Sequence, residues 1–580
     1  MRRPGQTKYS LVVFGIGAAL CLSSYCFSTP AFGQAASQET SGTERTRQLL
    51  EKEEALREKI ETPKKPVEIE EQLPEITVPL AADAKIFIKE FRVTGTTLIS
   101  KDETDKIILP KQNQEMLFSQ VQKISAQITE LYRTRGYITS RAYIPPQKVE
   151  NGILEIKAIE AVAGDIVVKG NRYFSAALLK NKIAMKKGEP FNYNILRQGL
   201  AKINEQPDRY ARVVLMPGKD PASTDMVMEV KDRLPIHVGF EFDNFGSRFI
   251  EEDRYTARIS HNNLLGLDDK LSFQYQLAQA SRYFLKSARY LLPVGDDMEF
   301  GLFTAHSRVK LGQNFEDTDA RGKSHLYGLF LNKSLVNKDN LGLTANLGFD
   351  YKDITNYQAQ AASSNDRMRV LKAGLDIDMT DNSGRTVITN ELDFGIPNIM
   401  GGLREQDARA SRAGAGGKFI KDTVNFLRLQ KMPFSSSLLW KSQMQLSPYM
   451  LTASEQFQIG GIANVRGYPP AEAVGDKGYA STLEWSFPPY LISKNAAIPL
   501  SKAKLYDALR VTIFYDWANA HLKRPTATEE KNKTLRGVGY GFRLNLPEDF
   551  SIRLDFAWPL DNTPTDSDHM HPWIQVTKNF

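Results

Sequence analysis

Cysteine is nearly absent from the chain: 580 residues hold two, Cys21 and Cys26. Both lie in an apolar run from Leu11 to Phe27 that follows basic Arg2 and Arg3 and precedes Ala31, Phe32 and Gly33. That order of charge, apolar stretch and small residues reads as a secretory signal peptide over residues 1–33, with cleavage near Gly33 or Ala36. Neither cysteine follows the small residue that a lipid-attachment site needs, so the mature chain carries no thiol. A secreted chain without disulfides takes its stability from a core or from a membrane.

Long apolar runs are missing too. Beyond the signal no stretch reaches the ~18 apolar residues of a helical span, which excludes helical membrane spans. Barrel strands remain open, because their alternation keeps mean hydropathy polar, here −0.38. Charge of one sign does not dominate: 75 Lys and Arg against 68 Asp and Glu, interspersed, leave +7 and point to no nucleic-acid partner. Histidine is scarce, with seven residues and no metal-spaced pair on a helix. His569 and His571 fall in what reads as an exposed polar turn. There is no nucleophile elbow. The nearest look-alike of a phosphate loop, Gly414-Ala415-Gly416-Gly417-Lys418, has Arg412 in place of the first glycine and Phe419 after the lysine, and reads as a flexible surface loop. These absences imply no enzyme, no metal and no cofactor.

What is present falls into zones. Residues 34–62 are strongly charged, with Leu49, Leu50, Leu56 and Ile60 as a thin apolar stripe, and Thr62-Pro63 stops the helix they predict. Such a helix suits solvent or a polar cavity, so it is a candidate plug of a wet pore. Residues 63–84, rich in proline and charge, read as an extended linker. Two similar units follow, 85–163 and 164–234. The first opens with a strand from Lys85 to Val93 closed by Gly95. Its clearest helix runs through Leu117, Val121, Ile124, Ile128 and Leu131 and ends at Gly136, and strands Thr139 to Ile144 and Gly152 to Ile159 follow. The second repeats the order: a strand Asp165 to Val168, helices near Ser175 to Ala184 and through Leu196, Leu200 and Ile203, then strands Ala211 to Met216 and Thr224 to Val230 about the Pro217-Gly218 turn. Each is a β-α-α-β-β module of α+β class.

From 235 to 580 the period becomes two. Leu341, Leu343, Ala345, Leu347, Phe349 and Tyr351 alternate with Gly342, Thr344, Asn346, Gly348 and Asp350; Leu271 to Ala278 and Ile552 to Trp558 repeat the pattern. About sixteen such runs suit an even-numbered antiparallel barrel. A soluble β-sandwich or propeller also alternates. Strands of about ten residues where soluble ones average five or six, aromatic outward positions and glycines opposite them favour an all-β transmembrane barrel. Within Val511 to Ala518 this parity turns Val511, Ile513, Tyr515 and Trp517 to lipid and Thr512, Phe514, Asp516 and Ala518 to the lumen. Glu484, between Leu483 and Trp485, faces inward likewise. An acid inside a barrel strand needs water or a partner.

Several segments resemble one family. Asn464-Val465-Arg466-Gly467-Tyr468, after Phe457-Gln458-Ile459-Gly460-Gly461, looks like its VRGY loop motif. Gly475-Asp476-Lys477-Gly478 resembles the start of the strand after that loop, and Asn263-Leu264-Leu265-Gly266-Leu267-Asp268-Asp269 the early barrel hairpin. Arg135-Gly136-Tyr137 with Ile144-Pro145-Pro146-Gln147 looks like the close of a first polypeptide-transport-associated (POTRA) domain. Gln206-Pro207-Asp208-Arg209 with Leu215-Met216-Pro217-Gly218 looks like that of a second. The chain thus resembles the two-partner secretion transporters, of haemolysin secretion/activation and filamentous-haemagglutinin exporter type.

That resemblance implies export of a partner protein, adhesin-like or haemolysin-like, through a barrel in the outer membrane of a Gram-negative bacterium. It implies periplasmic POTRA-like domains that bind the unfolded client by β-augmentation, contact with outer-membrane lipid, insertion by the barrel-assembly machinery, and a monomer. It also implies that the loop of Val465, Arg466, Gly467 and Tyr468 folds back into the barrel with Arg466 on an acid of the wall. Asp516 is the candidate, and by parity Glu484 shares the arginine beside Phe514. A solvated loop arginine and a lumen-solvating Asp516 are the plain alternatives. Where the family commonly has glycine two residues past this aspartate, Ala518 stands here. An insertase of membrane proteins and a passive solute channel remain the competing functions.

Overall fold

In a computed structural model the described residues are 67–71, 85–278, 281–338, 340–499, 501–527, 529–561 and 563–580. The signal segment and the charged helix of residues 34–62 lie outside them. No helix among the described residues is long and apolar enough to cross a membrane.

The first unit packs helices Lys101–Ile108 and Phe118–Thr134 on short strands. Val121, Ile124, Ile128 and Tyr132, at helical spacing, lie buried against Ile88, Phe91, Leu154 and Ile156. The strand expected from Lys85 to Val93 is two: Lys85–Ile88 pairs antiparallel with Gln114–Leu117, and Glu90–Thr94 pairs parallel with Ile153–Ile159. The switch comes at Gly152, whose carbonyl accepts Lys89 N (2.8 Å) and Glu90 N (3.2 Å). The helix Lys101–Ile108 was not located by periodicity, being short and charged. Its mark is the reciprocal cap of Ser100 and Glu103, an S-x-x-E start.

The second unit is a four-stranded sheet in the order Ile69–Glu71, Arg209–Pro217, Ser223–Asp232, Val162–Lys169, with helices Ala176–Asn181 and Tyr193–Asn204 on one face. Leu179, Leu196, Leu200, Ile203, Val213, Met226 and Met228 form its core. Ile69–Glu71 corrects the reading of residues 63–84 as linker throughout. These three pair in parallel with Val213, Val214 and Leu215, because Val67 and Ile69, two apart, pack against the core and bring an edge strand with them.

Residues 236–579 supply sixteen antiparallel strands in a closed barrel. The first, Ile236–Asp243, pairs with the last, His571–Asn579, from Gly239 with Asn579 to Asp243 with Gln575. Val238 and Phe580 exchange both backbone bonds, Val238 N to Phe580 O at 3.3 Å and Phe580 N to Val238 O at 2.8 Å. Closure satisfies every strand edge within the wall, the condition for β-structure in hydrocarbon. The expected parity holds: along Leu509–His521, Ile513 and Tyr515 are exposed on the outer face while Thr512, Phe514, Asp516 and Ala518 are buried inward.

Two readings near the extracellular end are corrected. The Gly414–Lys418 segment is no flexible surface loop: Ala415, Gly416 and Gly417 are buried, and Cβ atoms at Gly416 and Gly417 would stand 2.3 Å from Glu405 O and 2.5 Å from Leu403 O. These glycines serve close packing. His571 is not an exposed turn residue either. It opens the last strand, is buried and stacked on Trp573 with rings 16° apart, and its Nε2 lies 2.8 Å from Asp566 Oδ2. His569 is exposed.

Candidate functional site

The chain between strands Ser436–Leu446 and Lys477–Phe487 does not project into solvent. It folds back into the lumen, and nearly all of residues 451–469 are buried. A small hairpin, Phe457–Ile459 against Ala473–Gly475, carries it. At its turn Gly460 and Gly461 take φ of +106° and +82°, a conformation that glycine adopts without strain. Asn464 Oδ1 accepts Gly460 N and Val465 N, both at 2.8 Å, and so shapes the tip that presents Arg466.

Arg466 is 2% exposed. Its Nε donates to Asp516 Oδ2 at 2.8 Å and its Nη2 to Asp516 Oδ1 at 2.9 Å, a bidentate fork, and its backbone N adds a third bond to Oδ2 at 3.1 Å. Nη1 donates to Glu484 Oε2 at 2.8 Å and lies 3.6 Å from Asp555 Oδ2. The guanidinium rests on Phe514, 3.2 Å from the ring centroid. A Cβ at Gly539, on strand Asn532–Leu546, would stand 2.3 Å from the Phe514 ring, so only glycine leaves room for that ring. Val465 and Tyr468 pack with Ala518 and Leu535, and the Tyr468 hydroxyl accepts Asp561 N at 3.2 Å. Trp573 Nε1 donates to the Arg466 carbonyl at 2.8 Å. Every residue singled out by motif and parity, Val465, Arg466, Gly467, Tyr468, Asp516, Glu484 and Phe514, meets at this one place.

Sequence reasoning missed the rest of the cluster. Asp555 is ion-paired to Arg543 at 2.7 Å and to Arg553 at 3.0 Å, and Arg543 lies 3.5 Å from Glu484. Alternation along Ile552 to Trp558 already put Arg553 and Asp555 inward; what it lacked was the register joining them to Arg466. A second attachment was also unread. Glu455, at the base of the loop, is bonded by Lys421 at 2.6 Å and Lys352 at 3.0 Å. Arg412 Nη1 holds Asp476 at 2.7 Å and 2.8 Å, and Asp476 accepts Leu451 N. The loop is therefore tied to the wall at tip and base.

Gly467 lies against strand Phe550–Pro559: a Cβ there would stand 2.7 Å from the carbonyl of Trp558. That backbone belongs to a ladder and cannot yield. Gly467→Ala is therefore expected to weaken docking of the tip by about 1–3 kcal/mol, the usual range for overpacking, read as faster proteolysis of the loop in a barrel that still resists boiling-free detergent electrophoresis as a folded band. The methyl of Ala518 is fully buried between wall and loop. Ala518→Gly is expected to loosen the loop by only about 1 kcal/mol, the worth of one buried methyl group, in the same proteolysis assay.

A third locus joins the second unit to the barrel through two of the quoted segments. Arg209 Nη1 and Nη2 donate to Asp268 at 2.5 Å and 2.9 Å, its Nε donates to Ile203 O at 2.9 Å, and its guanidinium covers Phe174 at 4.7 Å. Lys182 also reaches Asp268, at 3.0 Å. Asn262 Nδ2 donates to Asp208 at 2.8 Å, and Arg233 Nε donates to the same carboxylate at 2.9 Å. The one grouping of metal-type donors among the described residues is Asp566, Asp568 and His571, whose imidazole is already engaged by Asp566.

The family model described as haemolysin secretion/activation protein ShlB/FhaC/HecB matches residues 222–544, and a POTRA domain of ShlB type matches 86–161. The heme/hemopexin transporter protein HuxB of Haemophilus influenzae is 25% identical over 498 residues, covering 83% of this chain and 84% of that one. The solved CdiB of Escherichia coli superposes with a TM-score of 0.68 at 20% identity, over 95% of this chain and 99% of the other. BamA of Haemophilus ducreyi, lacking POTRA domains 1–3, gives 0.53 at 14% identity, over 85% and 100%.

Proposed function

Because the chain belongs to the haemolysin secretion/activation family ShlB/FhaC/HecB, we propose that it is an outer-membrane transporter that takes a partner protein from the periplasm and exports it through its barrel. The observation that carries this reading is the loop tied by Arg466 across the lumen of a barrel whose mouth bears periplasmic domains. A passage filled by its own loop serves an intermittent, large cargo better than a steady flow of small solutes, and a solute channel needs no periplasmic domains. Arg466 and its three acids are the lock, and Val465 and Tyr468 seat it.

An insertase opens toward lipid between its first and last strands. Here those strands pair from Gly239 to Asp243 and continue through Val238 and Phe580, which favours vertical export. The client meets the POTRA-like units as an extended segment added to a sheet edge, for which strand Glu90–Thr94, at the border of the first unit's three-stranded sheet, is the candidate; the opposite border, Arg141–Tyr143, has Ala142 N and O bonded by Thr129 Oγ1. Folding of the client outside the cell supplies the driving free energy, with no nucleotide and no enzymatic step. Outer-membrane lipid and, during biogenesis, the barrel-assembly machinery are its other partners, and it acts as a monomer.

The test is secretion of a client encoded beside this gene by cells with the wild type, with Arg466→Ala, or without the protein. Export that depends on the protein and falls in the variant, with the barrel folded in both, supports the reading. A client that reaches the medium without the protein overturns it.

A further inference from the structure

Cations on the outer wall of a membrane barrel are costly at mid-bilayer and tolerated at the headgroup level. On strands Tyr283–Val294, Met298–Lys310 and Arg321–Lys338 they are stacked at one end. Ile236 leaves the periplasmic second unit, so strand alternation puts Tyr283, Lys310 and Arg321 at the extracellular end. Following the ladders outward along the lipid face, the levels read Tyr290, Leu302, Leu329; then Ala288, Thr304, Tyr327; then Lys286, His306, His325; then Phe284, Arg308, Lys323; and last Lys310, Arg321. An apolar band thus gives way, through the level of Ala288, Thr304 and Tyr327, to a basic face three strands wide.

Three of these cations, Lys286, Arg308 and Lys323, have rings as partners. Lys286 Nζ lies 5.7 Å from the Tyr275 centroid and 5.7 Å from Phe284, Arg308 lies 5.5 Å from Phe284, and Lys323 lies 5.0 Å from Tyr357. Among the described residues, Lys286, Arg308, Lys310 and Lys323 have no carboxylate partner. Other outer-wall arginines do: Arg321 with Asp319 at 2.6 Å, Arg369 with Asp353 at 2.9 Å, and Arg536 with Asp561 at 2.6 Å. Cross-strand neighbours stand about 5 Å apart, so three or more ammonium and guanidinium groups converge within the span of one or two phosphates.

We propose that Lys286, Arg308, Lys310 and Lys323 bind the phosphate groups of an anionic glycolipid of the extracellular leaflet, with its acyl chains laid along the band of Leu302, Tyr327 and Leu329, which are 46%, 49% and 49% exposed. Continuity of the cations with that band selects an amphiphile over a soluble anion: one molecule places phosphate on the upper levels and hydrocarbon on the lower. The rings hold the long side chains flat against the wall and limit the freedom lost on binding. Charge supplies the attraction and the geometry supplies a fixed position around the barrel. This inference rests on the outer-membrane placement, and not on the identity of the exported client.

Native mass spectrometry of the full-length protein in detergent, with bisphosphorylated lipid A as probe, tests it. The wild type is expected to hold lipid A as a discrete adduct, and Lys286→Gln/Arg308→Gln/Lys323→Gln to bind it at least tenfold more weakly. Arg289→Gln, which removes a lumen-facing cation stacked on Phe330 at 4.9 Å, should bind as the wild type does. Dephosphorylated lipid A should bind the wild type as weakly as lipid A binds the triple variant. Equal lipid A binding by wild type and triple variant overturns the proposal, and so does displacement of lipid A by equimolar inorganic phosphate, which would mark a plain anion site. Folding is checked by the electrophoretic shift of the unheated barrel. If the triple variant does not fold, Arg308→Gln and the phosphate dependence in the wild type still decide. Secretion measured in parallel separates loss of this site from failure of the export reading.

Discussion

Arg466→Ala is expected to free the loop and abolish most export while the barrel stays folded. The side chain joins no ladder, so the strands keep their pairing. Its loss leaves Asp516, Glu484 and Asp555, all buried, short of a cation, and removing one partner from such a buried, hydrogen-bonded cluster costs about 3 to 5 kcal/mol. That is a hundredfold or greater shift, at about 1.4 kcal/mol per factor of ten, in favour of the released loop. Planar-bilayer conductance should rise and secretion should fall. Arg466→Lys should recover only part of both, because an ammonium cannot make the two-pronged bond to Asp516 while also lying flat on Phe514. Unchanged conductance and secretion in Arg466→Ala would make the cluster ornamental.

The second large effect is expected at the junction of the second unit with the barrel. Arg209→Ala removes four contacts at once, two to Asp268 and one each to Ile203 and Phe174. Lys182 remains on Asp268, so the expected cost is about 3 kcal/mol, the low end for a broken buried pair. The readout is hydrogen exchange: amides in the turn of residues 262–269 and in the strand Arg209–Pro217 should exchange about a hundredfold faster, and secretion should drop with client binding unchanged. The same junction predicts a pH dependence. At Asp268 burial pushes the carboxyl up, but bonds from Arg209 and Lys182 outweigh it and leave it below the ordinary 3.8; at Asp208 burial is outweighed by His237, Asn262 and Arg233. Carboxyls depressed in the folded state add stability that is complete above the unfolded value and is lost as pH falls through the folded one. Protection should therefore be intact at pH 5 and fail only below 3.8. Loss of protection near pH 5 would contradict this assignment.

How far these features can be read from residues depends on the kind of order involved. Period two assigns each barrel residue to a face, and that sufficed to aim Asp516, Glu484 and Phe514 at the lumen and to count the strands. Which lumen residues then meet depends on register, and register follows from how the sheet closes on itself. Asp555 and Arg553 were on the correct face and still not joined to Arg466, and Arg543 lay in a strand that was not read residue by residue. Glu455 and Arg412 sit in irregular chain with no period at all, so their partners among Lys421, Lys352 and Asp476 were beyond reach. Ile69–Glu71 looked like linker because three residues hold too little pattern to outweigh the prolines around them. The Gly416-Gly417 pair shows the converse: glycine reads as flexibility, yet here it marks backbone packed too closely for a side chain.

The lock has an electrical consequence. Arg466, Arg543 and Arg553 face Asp516, Glu484 and Asp555, three cations to three anions, and this cluster is neutral while the loop is docked. In the proposed opening the tip leaves while Glu455 stays held at the base by Lys421 and Lys352, so of these six residues only Arg466 moves. With it withdrawn, two cations face three anions and this cluster is left at −1. Opening in this way is expected to change the permselectivity of the conduit as well as its bore: at the cluster the cleared passage should favour potassium over chloride, because the proposed gate carries its own counter-ion away with it.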